Sequence, residues 1–296
     1  MMFPGLRLLV CALLLPIVVG CGQAPAPVAS LAVNPSEIEL PGSGFTTASL
    51  SWQMNQPLVG KQGALRVFVH LMNSEGEVLR TFDHDFFGEW QVGQERTYDV
   101  ELFQSALGPA LENGVYELTA GLYDESGNRW PLETAGERIA EGEYRVATVQ
   151  ATDAGSGFPE FYFSESWMPV EGGTDRQILG RRWLSGDGAL RLARIRQPGT
   201  IWLRVGIPSE GGQDQELVLQ PGQSVPAAEI SSECLESPIL VEGVGGWTVK
   251  IEIGEGEDGG LVEECEIRFA TNFELLSVDS RERRTIALET LAWAGS

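Results

Sequence analysis

Residues 65–71 read Leu-Arg-Val-Phe-Val-His-Leu, which puts Leu65, Val67, Val69 and Leu71 on one side of an extended chain. An α-helix would scatter these side chains around its axis, so the segment reads as a strand with one buried face. The same period of two recurs at residues 47–53, 78–82, 95–102, 115–123 and 143–149. Ser74-Glu75-Gly76-Glu77 turns one such segment into the next as a hairpin, and Asp124-Glu125-Ser126-Gly127-Asn128 closes another. Only residues 103–111 have room for a short helical turn. The chain carries 36 glycines in 296 residues, about 12% against ~7% in average proteins. That excess matches many turns between short strands.

About seven strands between residues 31 and 150 give the content of an immunoglobulin-like β-sandwich. The small, polar run at 151–157 reads as an interdomain linker. Beyond it, residues 189–195, 200–207, 215–219, 247–253, 265–270 and 285–292 alternate again, separated by Gly, Pro and Ser. They suit a jelly-roll-like sandwich over residues 158–296. The expected fold class is therefore all-β, with two tandem β-sandwiches.

The first twenty residues are an address. Arg7 precedes an apolar run from Leu8 to Val19, of signal-peptide length and short for a bilayer span. Val18-Val19-Gly20-Cys21 resembles a bacterial lipobox. That resemblance implies cleavage before Cys21, a diacylglycerol on its sulfur and acylation of the new amino terminus. Several acyl chains at ~0.8 kcal/mol per buried methylene give a stable membrane anchor. Gly22 lacks the Asp associated with inner-membrane retention in some bacteria, so inner and outer membrane both stay open. Residues 21–30, rich in Pro and Ala, read as a flexible tether. With Cys11 lost and Cys21 lipidated, Cys234 and Cys265 are left to pair as a disulfide in an exported domain. The loop between them is worth roughly 3–4 kcal/mol in the chain-entropy account.

Charge narrows the partners. With 42 acidic and 20 basic residues the net charge is -22, which excludes nucleic acid as a general partner. The bases are not spread evenly. Residues 176–204 hold Arg176, Arg181, Arg182, Arg191, Arg194, Arg196 and Arg204 against one acid, Asp187. Residues 210–266 hold fourteen acids and one base, Lys250. Either the two stretches neighbour and offset one another, or the arginines bind an acidic glycan or lipid headgroup.

Phe68-Val69-His70-Leu71, Asp83-His84-Asp85, Trp90-Gln91-Val92-Gly93 and Gly121-Leu122-Tyr123-Asp124 form one set of motifs. Glu165-Ser166-Trp167-Met168-Pro169-Val170-Glu171 and Arg181-Arg182-Trp183 form another. Together they resemble poorly characterised bacterial envelope lipoproteins with tandem β-sandwich modules, of the kind found beside or fused to envelope glycosyltransferases. The resemblance implies fold and envelope context, and no established activity. No membrane-spanning or glycosyltransferase segment accompanies it in this sequence.

Catalytic signatures are missing: there is no Gly-x-Ser-x-Gly, no His-Glu-x-x-His and no phosphate-cradling glycine loop. His70 sits mid-strand as a structural residue. In Asp83-His84-Asp85 neighbouring side chains point to opposite faces, which argues against a metal site. The turn at Asp124 lacks the ligand density of a calcium loop. No cofactor and no metal are expected. Of eight tryptophans, Trp52 and Trp202 lie in apolar strand patterns and read as core. Trp90, Trp130, Trp167 and Trp183 fall at turns or strand ends, where a ring can stack on a sugar. The expected glycan site is Arg181, Arg182, Trp183 and Trp167. The sequence thus points to a non-catalytic, lipid-anchored envelope protein that binds a glycan or a protein. Its alternatives are a structural spacer or assembly subunit of an envelope polysaccharide system, and, last, a glycan-active enzyme.

Overall fold

The computed structural model describes residues 26–58, 65–86, 88–89, 91–153, 158–171, 180–208, 215–254, 260–277 and 283–295. Among these residues there is no helix. The first half contains β1 (Ala29–Asn34), β2 (Glu37–Pro41), β3 (Phe45–Met54), β4 (Arg66–Met72), β5 (Val78–Thr81) and β6 (His84–Asp85). It continues with β7 (Glu95–Phe103), β8 (Gly114–Tyr123), β9 (Arg129–Trp130), β10 (Leu132–Glu133), β11 (Arg138–Ala140) and β12 (Glu143–Thr152). One sheet has the order β10-β1-β3-β7; the other runs β11-β12-β8-β4-β5, with β2, β6 and β9 on its margins. β2 leaves the first sheet to run parallel to β12 in the second. This is an immunoglobulin-type strand order, as the spacing predicts. Its core is filled by the inward rows, among them Leu50, Trp52, Leu71, Leu102, Leu118 and Leu122.

The second half contains β13 (Glu160–Phe163), β14 (Arg182–Trp183), β15 (Gly188–Ala193), β16 (Gly199–Ile207), β17 (Gln215–Leu219) and β18 (Ala227–Ser232). It ends with β19 (Ile239–Glu242), β20 (Gly245–Ile253), β21 (Glu264–Thr271), β22 (Phe273–Ser277), β23 (Arg283–Arg284) and β24 (Ala287–Gly295). The sheets β13-β15-β21-β18-β19 and β14-β24-β16-β20 face one another across a second core, with Ile201, Leu203, Ile267, Phe269, Leu291 and Trp293 in it. A smaller sheet, β17-β22-β23, lies beside them. Cys234 and Cys265 are disulfide-bonded with Cα atoms 6.1 Å apart, tying the turn after β18 to its neighbour β21.

Three details differ from the sequence reading. β1 begins at Ala29, which is fully buried, so the last residues assigned to the tether already belong to the core. β12 runs through Thr152, so it takes in the first two residues of the expected linker. Residues 103–111 form no helix. Phe103 ends β7, and the Gly108 N–H donates to Ser105 O to make a single turn.

That turn joins the two halves. Leu107 is buried in the second core, although it belongs to the first half of the chain. A Cβ on Gly180 would sit 2.5 Å from the Leu107 carbonyl oxygen, so only glycine admits the loop there. The Ala106 N–H donates to Leu291 O at 2.7 Å, and the Ser105 hydroxyl accepts from the Leu291 N–H. The Trp293 N–H donates to Ser43 O at 2.8 Å. Burial of one leucine contributes about 1.5–3 kcal/mol. With these hydrogen bonds it fixes one sandwich against the other.

Candidate functional site

The residues expected to hold a glycan do not form an open platform. Trp167 and Trp183 are 4% and 5% exposed. Trp167 packs edge-on against Phe163 and Phe269, and its indole N–H donates to Ala189 O at 3.0 Å. Trp183 donates to Glu171 at 2.8 Å, with the guanidinium groups of Arg181 and Arg284 about 5 Å from its ring centre. Neither ring offers a sugar a face. Arg182 lies over Phe163 and donates to Met168 O. The turn residues around these tryptophans suggest exposure, but Phe163 and Phe269 pack against Trp167 and Glu171 takes the Trp183 indole N–H.

Arg191, Arg194 and Arg204 of the run are answered locally, and so is Arg284, which lies outside it. Arg284 grips Glu171 through two hydrogen bonds, at 2.7 and 3.2 Å. Arg194 pairs with Glu160, Arg204 with Glu289 and Arg191 with Glu264. The offsetting account is thus the better of the two, with a correction. Of these acids only Glu264 comes from the 210–266 stretch; Glu160, Glu171 and Glu289 lie outside it. Arg176, Trp90 and Cys21, the expected lipidation residue, lie outside the described residues.

A cleft does exist where the sandwiches meet. It encloses about 360 Å³ and is walled by Thr81, Phe82, Asp83 and His84 on one side. Asp99, Glu101 and Phe103 of β7 form a second wall; Trp202, Arg204 and Thr248 from the other sandwich form the third. Strand alternation explains the composition. On β7 the even positions Val100 and Leu102 enter the core, so Asp99, Glu101 and Phe103 face outwards. On β16 Ile201, Leu203 and Val205 enter the second core, so Trp202 and Arg204 face the first sandwich. Trp202 lies on Phe103 with ring centres 4.7 Å apart. It is 3% exposed, and its indole N–H has no hydrogen-bond partner among the described residues. Its ring nitrogen is closed off from the cleft, and an unmet buried donor of this kind costs about 1–3 kcal/mol. Lys250 pairs with Glu101 at the rim. His84 is hydrogen-bonded to Phe82 O and the Tyr98 hydroxyl, and burial pushes its pKa below 6.5. The imidazole is therefore neutral at pH 7.

A second hollow, of about 610 Å³, lies on the outer face of the β10-β1-β3-β7 sheet. Ser30, Ser51, Gln53, Glu95, Thr97 and Glu133 line it. Ser51 and Thr97 hydroxyls bond at 2.9 Å, and Ser30 donates to Glu133 at 3.2 Å.

Asp83 also reaches the outer face of the larger sheet, where β4, β8 and β12 gather a charged cluster. His70 Nε2 lies 3.4 Å from Asp83 and Nδ1 lies 3.7 Å from Glu143. The second distance makes an ion pair rather than a hydrogen bond. Burial alone would lower the His70 pKa, but the two carboxylates outweigh it and raise it to about 9. His70 is the first partner holding Glu143 down at about 2, with Thr119 and Arg129 adding hydrogen bonds. Arg129 covers Phe68 at 4.6 Å, and a Cβ on Gly121 would sit 2.3 Å from that ring. Both groups are charged and paired as ions, the marks of a structural cluster. Asp85 pairs with Arg66, so it shares no ligand with Asp83. Asp124 closes its own turn on Ser126 and Asn128. Among the described residues no group of three His, Cys, Asp or Glu is placed to hold a metal ion, and no helix is long and apolar enough to cross a membrane.

Fold and site together define a class: an all-β, disulfide-linked protein of two sandwiches with a polar cleft at their junction. Comparison with known proteins goes no finer. No family model and no curated protein matches the chain. Solved structures do match. One is TmCBM61 in complex with beta-1,4-galactotriose, at TM-score 0.24 and 9% identity, covering 47% of this chain and 88% of that one. Another is the M60 catalytic domain with CBM51-1 and CBM51-2 from Clostridium perfringens ZmpB, at TM-score 0.26 and 8% identity, over 84% and 33% of the chains. A Bacteroides uniformis beta-glucuronidase matches at TM-score 0.25 and 11% identity, over 93% and 30%. The chain thus spans about a third of the latter two. At these scores the likenesses carry no argument about what this chain does.

Proposed function

We propose that this chain is a lipid-anchored, extracytoplasmic binding protein of a bacterial envelope, without a catalytic role, and that it holds a glycan at the junction of its sandwiches. The observation that carries the ligand assignment is the 360 Å³ interdomain cleft, where carboxylates, a guanidinium, an imidazole and hydroxyls surround the aromatic Phe103. Hydrogen-bonding groups around a partly apolar floor suit sugar rings, and domain junctions are common ligand sites. The disulfide supports an extracytoplasmic address, since such bonds persist where thiols are not kept reduced. The anchor rests on the lipobox resemblance at Cys21.

Two experiments test the reading. A glycan array probed with detergent-solubilised protein is expected to give binding that Thr248→Trp, which fills the cleft, removes. Binding unaffected by Thr248→Trp would dismiss the cleft. Cys21→Ser is expected to move the protein out of the detergent phase in Triton X-114 partitioning; unchanged partitioning would dismiss the anchor. A protein partner is the second reading. Leu240, Val244 and Trp247 are 57%, 49% and 37% exposed around the turn joining β19 to β20, both of them edge strands. An apolar corner beside open sheet edges suits another chain.

A further inference from the structure

We infer that the ligand is an extended polysaccharide chain, neutral or amine-bearing, lying along β7 from the outer-face hollow into the interdomain cleft. The inference rests on the glycan reading above and adds the length and charge of the ligand. Its basis is that one strand face lines both hollows. Glu95 and Thr97 line the larger, Asp99, Glu101 and Phe103 the smaller, and all five are successive outward residues of β7. The neighbouring strand extends the surface in register: Gln53 is opposite Glu95, Ser51 opposite Thr97, Ser49 opposite Asp99. The nine residues of β7 span about 26 Å at ~3.3 Å per step. That is the length of several sugar rings, so a monosaccharide would leave most of the track unused.

Chemistry along the track changes from hydroxyls and a carboxamide at one end to aromatic rings at the other. Hydroxyl, carboxamide and carboxylate groups accept hydrogen bonds from sugar hydroxyls or from an ammonium. At the far end Phe103 and Trp202 supply an apolar ring surface. Charge selects the polymer. Among the described residues no cation pairs with Glu95, Asp99 or Glu133, while the nearby Lys250 and Arg204 are taken by Glu101 and Glu289. Like charge repels an acidic polymer, so the track disfavours uronic acids and favours neutral or amino sugars.

The test is affinity electrophoresis of the detergent-solubilised full-length protein in gels containing, in turn, a β-glucan, a mannan, a galactan, chitosan and polygalacturonate. Retardation is expected with at least one of the first four and not with polygalacturonate. For the retarding polymer, affinity is expected to rise at least tenfold from the disaccharide to the hexasaccharide. Gln53→Trp and Thr248→Trp, both at exposed positions, block one hollow each. Each is expected to weaken hexasaccharide binding at least tenfold with the unfolding temperature unchanged. Preference for polygalacturonate would overturn the charge assignment while leaving a glycan reading intact. Affinity that saturates at the disaccharide, or loss with only one of the two variants, would overturn the track alone. Retardation by none of the five would sink both.

Discussion

The arginine-rich surface around Trp183 and the outer face along β7 carry opposite charge, and they differ more in what they leave open. Around Trp183 every main group has an internal answer: Glu171 takes the indole N–H and two bonds from Arg284, while Arg181 and Arg284 cover the ring. Along β7 Glu95 and Asp99 face solvent without a cation among the described residues. A run of like charges in the sequence is thus a poor guide to a binding surface. What distinguishes the two surfaces is whether the fold has already supplied the partner.

The largest effect that would sharpen this contrast is at the junction. Trp202→Ala removes a ring packed on Phe103 and Phe45 and is expected to cost about 3–5 kcal/mol. Denaturant unfolding would measure it; a loss under about 1 kcal/mol would mean the ring is not an anchor. Next, Glu171→Ala is expected to cost about 1–3 kcal/mol by leaving Trp183 and Arg284 unanswered, with glycan binding unchanged. Weakened binding without a change in stability would restore the arginine surface as the site. A third effect lies behind the open face. His70 has a folded pKa of about 9 against 6.5 unfolded, so its contribution is complete below pH 6.5 and disappears as the pH rises to 9. Glu143, held at about 2 against 4.5, contributes fully above pH 4.5 and loses its share as the pH falls to 2. Unfolding curves from pH 2 to 10 should therefore fall at both ends, and His70→Ala should flatten the alkaline limb. The smallest stability effect belongs to Glu95→Gln with Asp99→Asn, expected within about 0.5 kcal/mol because both side chains are exposed. Binding of an amine-bearing glycan should nonetheless fall several-fold in a titration; no change would make the two surfaces equally inert.

The sequence carried the strands well, because alternation is a local signal. Leu65, Val67, Val69 and Leu71 were readable as one buried row, and the row is there in β4 apart from Leu65 at its edge. The disulfide was readable from the exhaustion of other roles for cysteine. Strands β18 and β22 carry a weaker signal, since Ala227-Ala228-Glu229-Ile230-Ser231-Ser232 is mostly small and polar and the adjacent Leu275 and Leu276 break the period of two. The site was barely legible. Glu95, Thr97, Asp99 and Glu101 read as an ordinary solvated strand face, and only the arrival of Trp202 and Arg204 from the other sandwich turns part of that face into a cleft. Trp167 and Trp183 misled in the opposite direction. Their neighbours in sequence are turn formers, while their neighbours in space are Phe269, Glu171 and Arg284.

Leu107 gives the pair of sandwiches a history as well as a shape. A second sandwich released by cutting the gene at residue 150 would inherit a void where that side chain sits, along with a β24 strand stripped of its bonds to residues 43 and 105. Recombination that shuffles either half into a new protein would separate a plug from its socket. The two halves are therefore expected to travel through genomes as one cassette, lost or gained together, in contrast to bead-like modules that can be exchanged singly.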